Sequence, residues 1–196
     1  MRTGSLFVFT QAAMMLAAGT ALAETYYASP TGGGSGESAS NPCQIADALQ
    51  DSTPSLRPGD TLMLLDGRYT GSRSMIVPGA GVSGTAGNPI TIRALNDGAV
   101  EIDGEGVRQP VYLENANGYL VLEGFNAHSS SAESVVTIKD GSNHNIVRRV
   151  CAWDGSNSNS SVFAAHYSSH NVFEDCAGWG VARKIYNCSQ GGDYTT

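Results

Sequence analysis

The chain has 196 residues, with 18 acidic side chains against 11 basic ones, a formal net charge of −7 and an isoelectric point near 4.9. That balance excludes a protein held by its overall charge to nucleic acid or to an anionic membrane, and no basic cluster reverses it. A polyanion comes within reach only where a bound divalent cation or a local Lys/Arg pair inverts the field.

Residues 1–23 hold a single charge, Arg2, then an apolar run over residues 6–18 and the small-residue ending Ala21-Leu22-Ala23. This is the pattern of a secretory signal peptide, too short to span a bilayer, with cleavage predicted before Glu24. Cleavage removes one positive charge and takes the formal net charge from −7 to −8. The mature chain is therefore read as secreted, extracellular or periplasmic, and nothing else in it predicts membrane insertion.

Tyr26-Tyr27-Ala28-Ser29-Pro30 reads as a short extended segment, followed by a Gly/Ser-rich loop over residues 31–40. Asn41-Pro42 then predicts a helix with Asn as N-cap and Pro as first residue, carrying Ile45, Ala48 and Leu49 on one face. Leu56-Arg57-Pro58-Gly59-Asp60 is a turn, residues 61–65 a strand, Asp66-Gly67 a second turn, and Arg68-Tyr69-Thr70 a further extended piece. Residues 77–89 are Gly-rich and predict a loop, after which Ile90-Thr91-Ile92-Arg93 and Val100-Glu101-Ile102-Asp103-Gly104 alternate apolar and polar residues.

From there the chain matches itself. Ser142, His144, Asn145 and Trp153 recur as Ser168, His170, Asn171 and Trp179. Val111-Tyr112-Leu113-Glu114 is echoed by Val136-Thr137-Ile138-Lys139 and by Val162-Phe163-Ala164-Ala165, while Leu122, Val147 and Phe173 form a second set with Phe125, Val150 and Cys176. Apolar residues at every second position within a period of about 25 residues define two short strands per period, hence an all-β solenoid rather than a helical repeat. The expected architecture is a right-handed parallel β-helix whose open apolar end is covered by the short N-terminal helix. Coils about 4.8 Å apart put Asn145 over Asn171, His144 over His170 and Trp153 over Trp179. They also set Glu114 beside Lys139, Arg148 beside Glu174 and Arg149 beside Asp175 as cross-coil ion pairs.

Ile185-Tyr186-Asn187 begins another coil, yet no capping element follows before Thr196. The expectation is one β-helix domain over residues 24–196 that forms the N-terminal part of a longer, monomeric protein. Cys43, Cys151, Cys176 and Cys188 match no zinc spacing, and their pairing is left open between buried thiols and a link such as Cys176 to Cys188.

The Tyr26-Tyr27-Ala28-Ser29-Pro30-Thr31-Gly32 string, the Asn41-Pro42 helix, Pro58-Gly59-Asp60-Thr61 and Asp66-Gly67-Arg68-Tyr69 resemble the amino-terminal cap of secreted parallel β-helix proteins. That superfamily includes pectate, alginate and chondroitin lyases as well as non-enzymatic surface proteins. The resemblance implies β-elimination on a uronic-acid polysaccharide laid across the parallel strands. In this chemistry Ca²⁺ neutralises the sugar carboxylate and an unprotonated Lys or Arg abstracts the adjacent proton. Lys184 and Arg183, the one adjacent Arg-Lys pair of the later coils, are the catalytic candidates, with a plain solvent-facing charge as the competing reading. Outward-facing Tyr112, Lys139, Phe163 and His166 are the substrate-binding candidates, set against aromatic packing for Tyr112 and Phe163 and an ion pair with Glu114 for Lys139. No calcium ligands are identified, because Asp140, Asp154 and Asp175 fall on separate turns. The alternatives are a non-catalytic glycan-binding or adhesin-like surface module, and a glycoside hydrolase, which needs a carboxylate pair that the sequence does not single out.

Overall fold

The computed structural model describes residues 22–131 and 134–189. Residues 1–21 of the expected signal peptide, and the chain after Ser189, where further coils are expected, lie outside the described residues.

In chain order the elements are β1 (Thr25–Ala28), a one-turn helix α1 (Ile45–Leu49), β2 (Thr61–Leu64) and β3 (Gly67–Tyr69). Next come β4 (Ile90–Ala94), β5 (Val100–Arg108), β6 (Val111–Leu113), β7 (Leu120–Glu123), β8 (Asn126–Ser130) and β9 (Val136–Lys139). The last two coils hold β10 (Ile146–Arg148), β11 (Cys151–Trp153), β12 (Ser161–His166), β13 (Val172–Glu174), β14 (Ala177–Trp179) and β15 (Lys184–Ser189). Every pairing between these strands is parallel. Three sheets result: sheet A in the order β1-β2-β4-β7-β10-β13, sheet B in the order β3-β5-β8-β11-β14, and sheet C in the order β6-β9-β12-β15. The architecture is the expected right-handed parallel β-helix.

From β4 onward each coil thus carries three strands where the repeat signals two. The extra one belongs to sheet B, which starts after a two-residue corner. Gly124, Arg149 and Asp175 turn that corner with φ of 77°, 50° and 51° in successive coils. At Gly124 a Cβ would lie 2.4 Å from Oδ1 of the half-exposed Asp97 side chain, which would have to shift, whereas Arg149 and Asp175 carry a side chain through the same left-handed corner. The later sheet B strands, β11 and β14, are three residues long and turn one small residue each inward, Ala152 and Gly178, so they leave no alternation to read.

Inside, equivalent residues pile into columns: Leu62, Ile92, Leu122 and Val147 on sheet A, and Ile102, Ala127 and Ala152 on sheet B, all fully buried. Sheet C places Val111 on Val136 and Leu113 on Ile138 as the repeat predicts. At β12 the repeat slips by one residue: Phe163, not Val162, lies beside Val136, and Ala165, not Ala164, lies beside Ile138. A one-residue slip exchanges the two faces of a strand. The cause is the longer connection over residues 154–160.

The helix also differs from expectation. It starts at Ile45, not at Pro42, with Gln44 as N-cap and a reciprocal capping box to Asp47, because Cys43 is drawn into a bridge with Ala28. Ile45, Ala48 and Leu49 still join the common core. The turn stacks are as read: Asn145 Nδ2 donates to Asn171 Oδ1 at 3.1 Å, and the His144 and His170 rings stack at 4.6 Å. Trp153 and Trp179 stack at 5.0 Å, but on strands of sheet B rather than at a turn. All four cysteines are free thiols.

Candidate functional site

The outer face of sheet C collects most of the candidate residues. Its rows follow from register: Tyr112, Thr137, Ala164 and Asn187 form one, and Lys139, His166 and Ser189 the next. The Lys139 ammonium sits 5.0 Å above the Tyr112 ring and 3.5 Å from Asp140. This cation–π contact keeps Lys139 extended along the face rather than in bulk water. His166 Nδ1 is hydrogen-bonded to Ser189 Oγ at 2.6 Å.

Phe163 is not part of that face. The slip at β12 turns it inward, where it is fully buried, stacked on Tyr186 at 5.0 Å and edge-on to Phe173 at 5.5 Å. It is a core residue, and its place as a substrate contact is withdrawn.

Beside His166 the surface sinks into a cleft of about 300 Å³ lined by Ser134, Asn157, Asn159, Ser160, Ser161, His166 and Asn187. Its wall is the connection between β11 and β12. Asn157 Oδ1 accepts the Asn159 N–H at 2.7 Å, and Ser160 Oγ donates to the Asn157 carbonyl at 2.7 Å, so this polar loop is braced by its own side chains. Arg183 and Lys184 stand at the rim. The Arg183 N–H donates to the Ser160 carbonyl at 2.8 Å and its Nη1 lies 3.5 Å from Asn159 Oδ1, while Lys184 Nζ donates to Asn187 Oδ1 at 2.9 Å. Five of the six candidates therefore share one side of the molecule. The asparagines of the wall went unassigned in the sequence; the signal for them was the Ser156-Asn157-Ser158-Asn159-Ser160-Ser161 run that lengthens this coil.

Two other charged groupings are structural in their geometry. Glu123, almost fully buried, receives Arg148 Nε at 2.8 Å and the Arg149 guanidinium, with Arg93 at 3.7 Å. Burial alone would raise the Glu123 pKa; hydrogen bonds and charge from Arg148 and Arg149 outweigh it and hold the carboxyl below its ordinary value. Both arginines thus turn back one coil, onto Glu123, although Arg148 is in register with Glu174 as read. On sheet B, His128 Nε2 meets Glu101 Oε1 at 2.6 Å, and the His128 ring starts the stack that continues through Trp153 at 4.5 Å.

Among the described residues no three His, Cys, Asp or Glu side chains come together as a metal site. No helix among them is long and apolar enough to cross a membrane.

No family model and no curated protein matches the sequence. Two solved structures are similar in fold. The crystal structure of pectate lyase Pel9A is 18% identical with a TM-score of 0.56, over 81% of this chain and 48% of its own. A rhamnogalacturonan lyase is 18% identical with a TM-score of 0.54, over 80% of this chain and 51% of its own. The fold is a pectate lyase-like β-helix. This β-helix spans about half the length of each of those two proteins.

Proposed function

We propose that this β-helix carries a site of a polysaccharide lyase that cleaves an acidic, uronic-acid polysaccharide by β-elimination. The observation that carries the reading is the polar cleft on the outer face of sheet C, with Lys184 and Arg183 at its rim and His166 in its wall. Elimination requires that the proton on C5, beside the uronate carboxylate, be made acidic and then removed, while the bond to the oxygen on C4 breaks. In this reading the Arg183 guanidinium neutralises the uronate, Lys184 in its unprotonated form takes the C5 proton, and His166 with the cleft asparagines holds the sugar hydroxyls. Tyr112 and Lys139 extend the binding surface along the sheet. No step is assigned to a metal, since the described residues assemble no ligand set. The similarity in fold to two proteins named as lyases supports the substrate class.

The test is product formation from pectate, alginate and chondroitin, followed by ultraviolet absorbance of the unsaturated uronate, with and without a chelator. Lys184→Ala is expected to lower the rate by about a hundredfold or more, the ordinary contribution of a positioned base. It should leave glycan binding within a few fold. The lyase reading fails if no substrate yields unsaturated product. Binding without product would favour a non-catalytic glycan-binding module, a reading favoured by the direct hydrogen bond from Lys184 to Asn187, which ties the proposed base to a side-chain amide.

A further inference from the structure

Asp60 ends the turn before β2 and is 3% exposed. Its carboxylate accepts two backbone amides, Arg57 N–H at 2.7 Å and Glu24 N–H at 2.9 Å. A carboxylate so far removed from water gains more from a cationic donor than from a neutral one. Glu24 is the outermost residue that the fold grips: Thr61 N–H donates to its carbonyl at 2.9 Å, and β1 then pairs with β2 from Thr25 onward. Immediately before it Ala23 is exposed, and Leu22 is 83% exposed.

We propose that the Ala23–Glu24 bond is a processing site and that Asp60 is the receptor for the α-amino group its hydrolysis creates. A peptidase of the secretory route adds water across that bond. The hydroxyl goes to the Ala23 carbonyl carbon, a hydrogen to the Glu24 nitrogen, and a proton from solvent turns that nitrogen into an ammonium. The ammonium forms where an amide N–H already lies against Asp60 Oδ1, so a hydrogen bond from a neutral donor becomes an ion pair without movement of the strand. A cavity of about 270 Å³ lined by Leu22, Glu24, Tyr26, Arg57, Pro58 and Asp60 gives the new group room.

The surrounding charges favour a cation there. The Tyr26 phenol is held above its ordinary pKa by burial and then by the carboxylates of Asp60 and Glu24, with Arg57 opposing and Glu37 adding to them. Three carboxylates thus stand against one guanidinium around the Tyr26 phenol, which lines the same cavity as Glu24. Leader removal therefore locks β1, and with it the start of sheet A, onto the first coil. The inference rests on the signal-peptide reading of residues 1–23 and is independent of the lyase reading, so the two fail separately.

The test compares the chain exported with its own leader with the same chain released from a tag so that it begins at Ala23. Mass analysis of the exported form should give Glu24 as first residue. In urea at neutral pH its folding equilibrium constant should exceed that of the Ala23 form by roughly tenfold, the gain from giving a buried carboxylate a cationic donor in place of a neutral one. An amine paired with Asp60 has its pKa raised above the ordinary α-amino range of about 7.7 to 8.0. Its stabilisation is then complete below that range and is lost as pH rises through the folded-state value. Nα-acetylation of the Glu24 form should abolish the gain, as should Asp60→Asn where that variant folds. A different first residue in the exported protein, or equal stability of the Glu24, Ala23 and acetylated forms at neutral pH, overturns the proposal.

Discussion

Glu123 shows how much one side chain organises on this surface. Its carboxylate is almost completely shielded and answers to Arg148, Arg149 and, more distantly, Arg93, so the arginines of two coils are fixed by one anion. Glu123→Gln should destabilise the protein by about 2 kcal/mol at neutral pH, less than a wholly buried pair because the arginines keep substantial contact with water. The pH dependence follows from the lowered carboxyl pKa. The stabilisation is present above the unfolded-state glutamate value of about 4.3 and is lost as pH falls through the lower folded-state value. Urea midpoints of the two proteins should therefore converge on acidification, and a gap that persists at acid pH would show that packing, not charge, is being measured.

At the scale of single elements, the turns between sheets C and A are held by amides rather than by apolar contacts. Asn145 is fully buried, accepts the Leu120 N–H at 3.0 Å and donates to the Asn117 carbonyl and to Asn171 Oδ1. Asn171 repeats the device one coil on, accepting the Asn145 N–H and donating to the Ser142 carbonyl, each at 3.0 Å. Asn145→Ala would strand the Leu120 N–H and the Asn117 carbonyl away from water, while Asn171 Oδ1 keeps the Asn145 N–H, and a loss of about 3 kcal/mol is expected in denaturant unfolding. Asn143→Ala, whose amide oxygen serves a half-buried serine at the same turn, is the milder comparison and should cost about 1 kcal/mol. Equal effects would remove the claim that the buried ladder, rather than the turn as a whole, sets the stability. The connection over residues 154–160 is the opposite kind of element: it lengthens one coil, lifts asparagines to the rim of the cleft and swaps the faces of β12.

For the molecule as a whole, stability is built coil by coil, since each strand pairs only with its neighbours above and below. Strands β7 to β12 have a partner on both sides, while β13, β14 and β15 end their sheets among the described residues. Amides of β7, β8 and β10 should exchange with solvent at least about tenfold more slowly than those of β13 and β14, since local opening starts where contacts are fewest. Uniform protection along the helix axis would mean that the coils unfold as one unit.

The sequence by itself determined the solenoid. Stacked coils set like over like, so Asn145 and Asn171, His144 and His170, or Leu113 and Ile138 must recur at the spacing of one turn, and that recurrence is visible without coordinates. It also determined the sign of the surface charge and the alternation of sheets A and C. Tertiary structure alone decided the rest. The later sheet B strands, β11 and β14, turn one small residue each inward and carry no period of their own. The register of β12 depends on how a polar loop packs, which is why Phe163 reads as an outward aromatic and sits in the core. The sequence pairs Arg148 with Glu174 and Arg149 with Asp175, but a long cationic side chain reaches both adjacent coils, and both arginines meet the better-desolvated carboxylate, Glu123. The cleft at His166 joins residues from four separate segments, and such proximity exists only once the coils are wound.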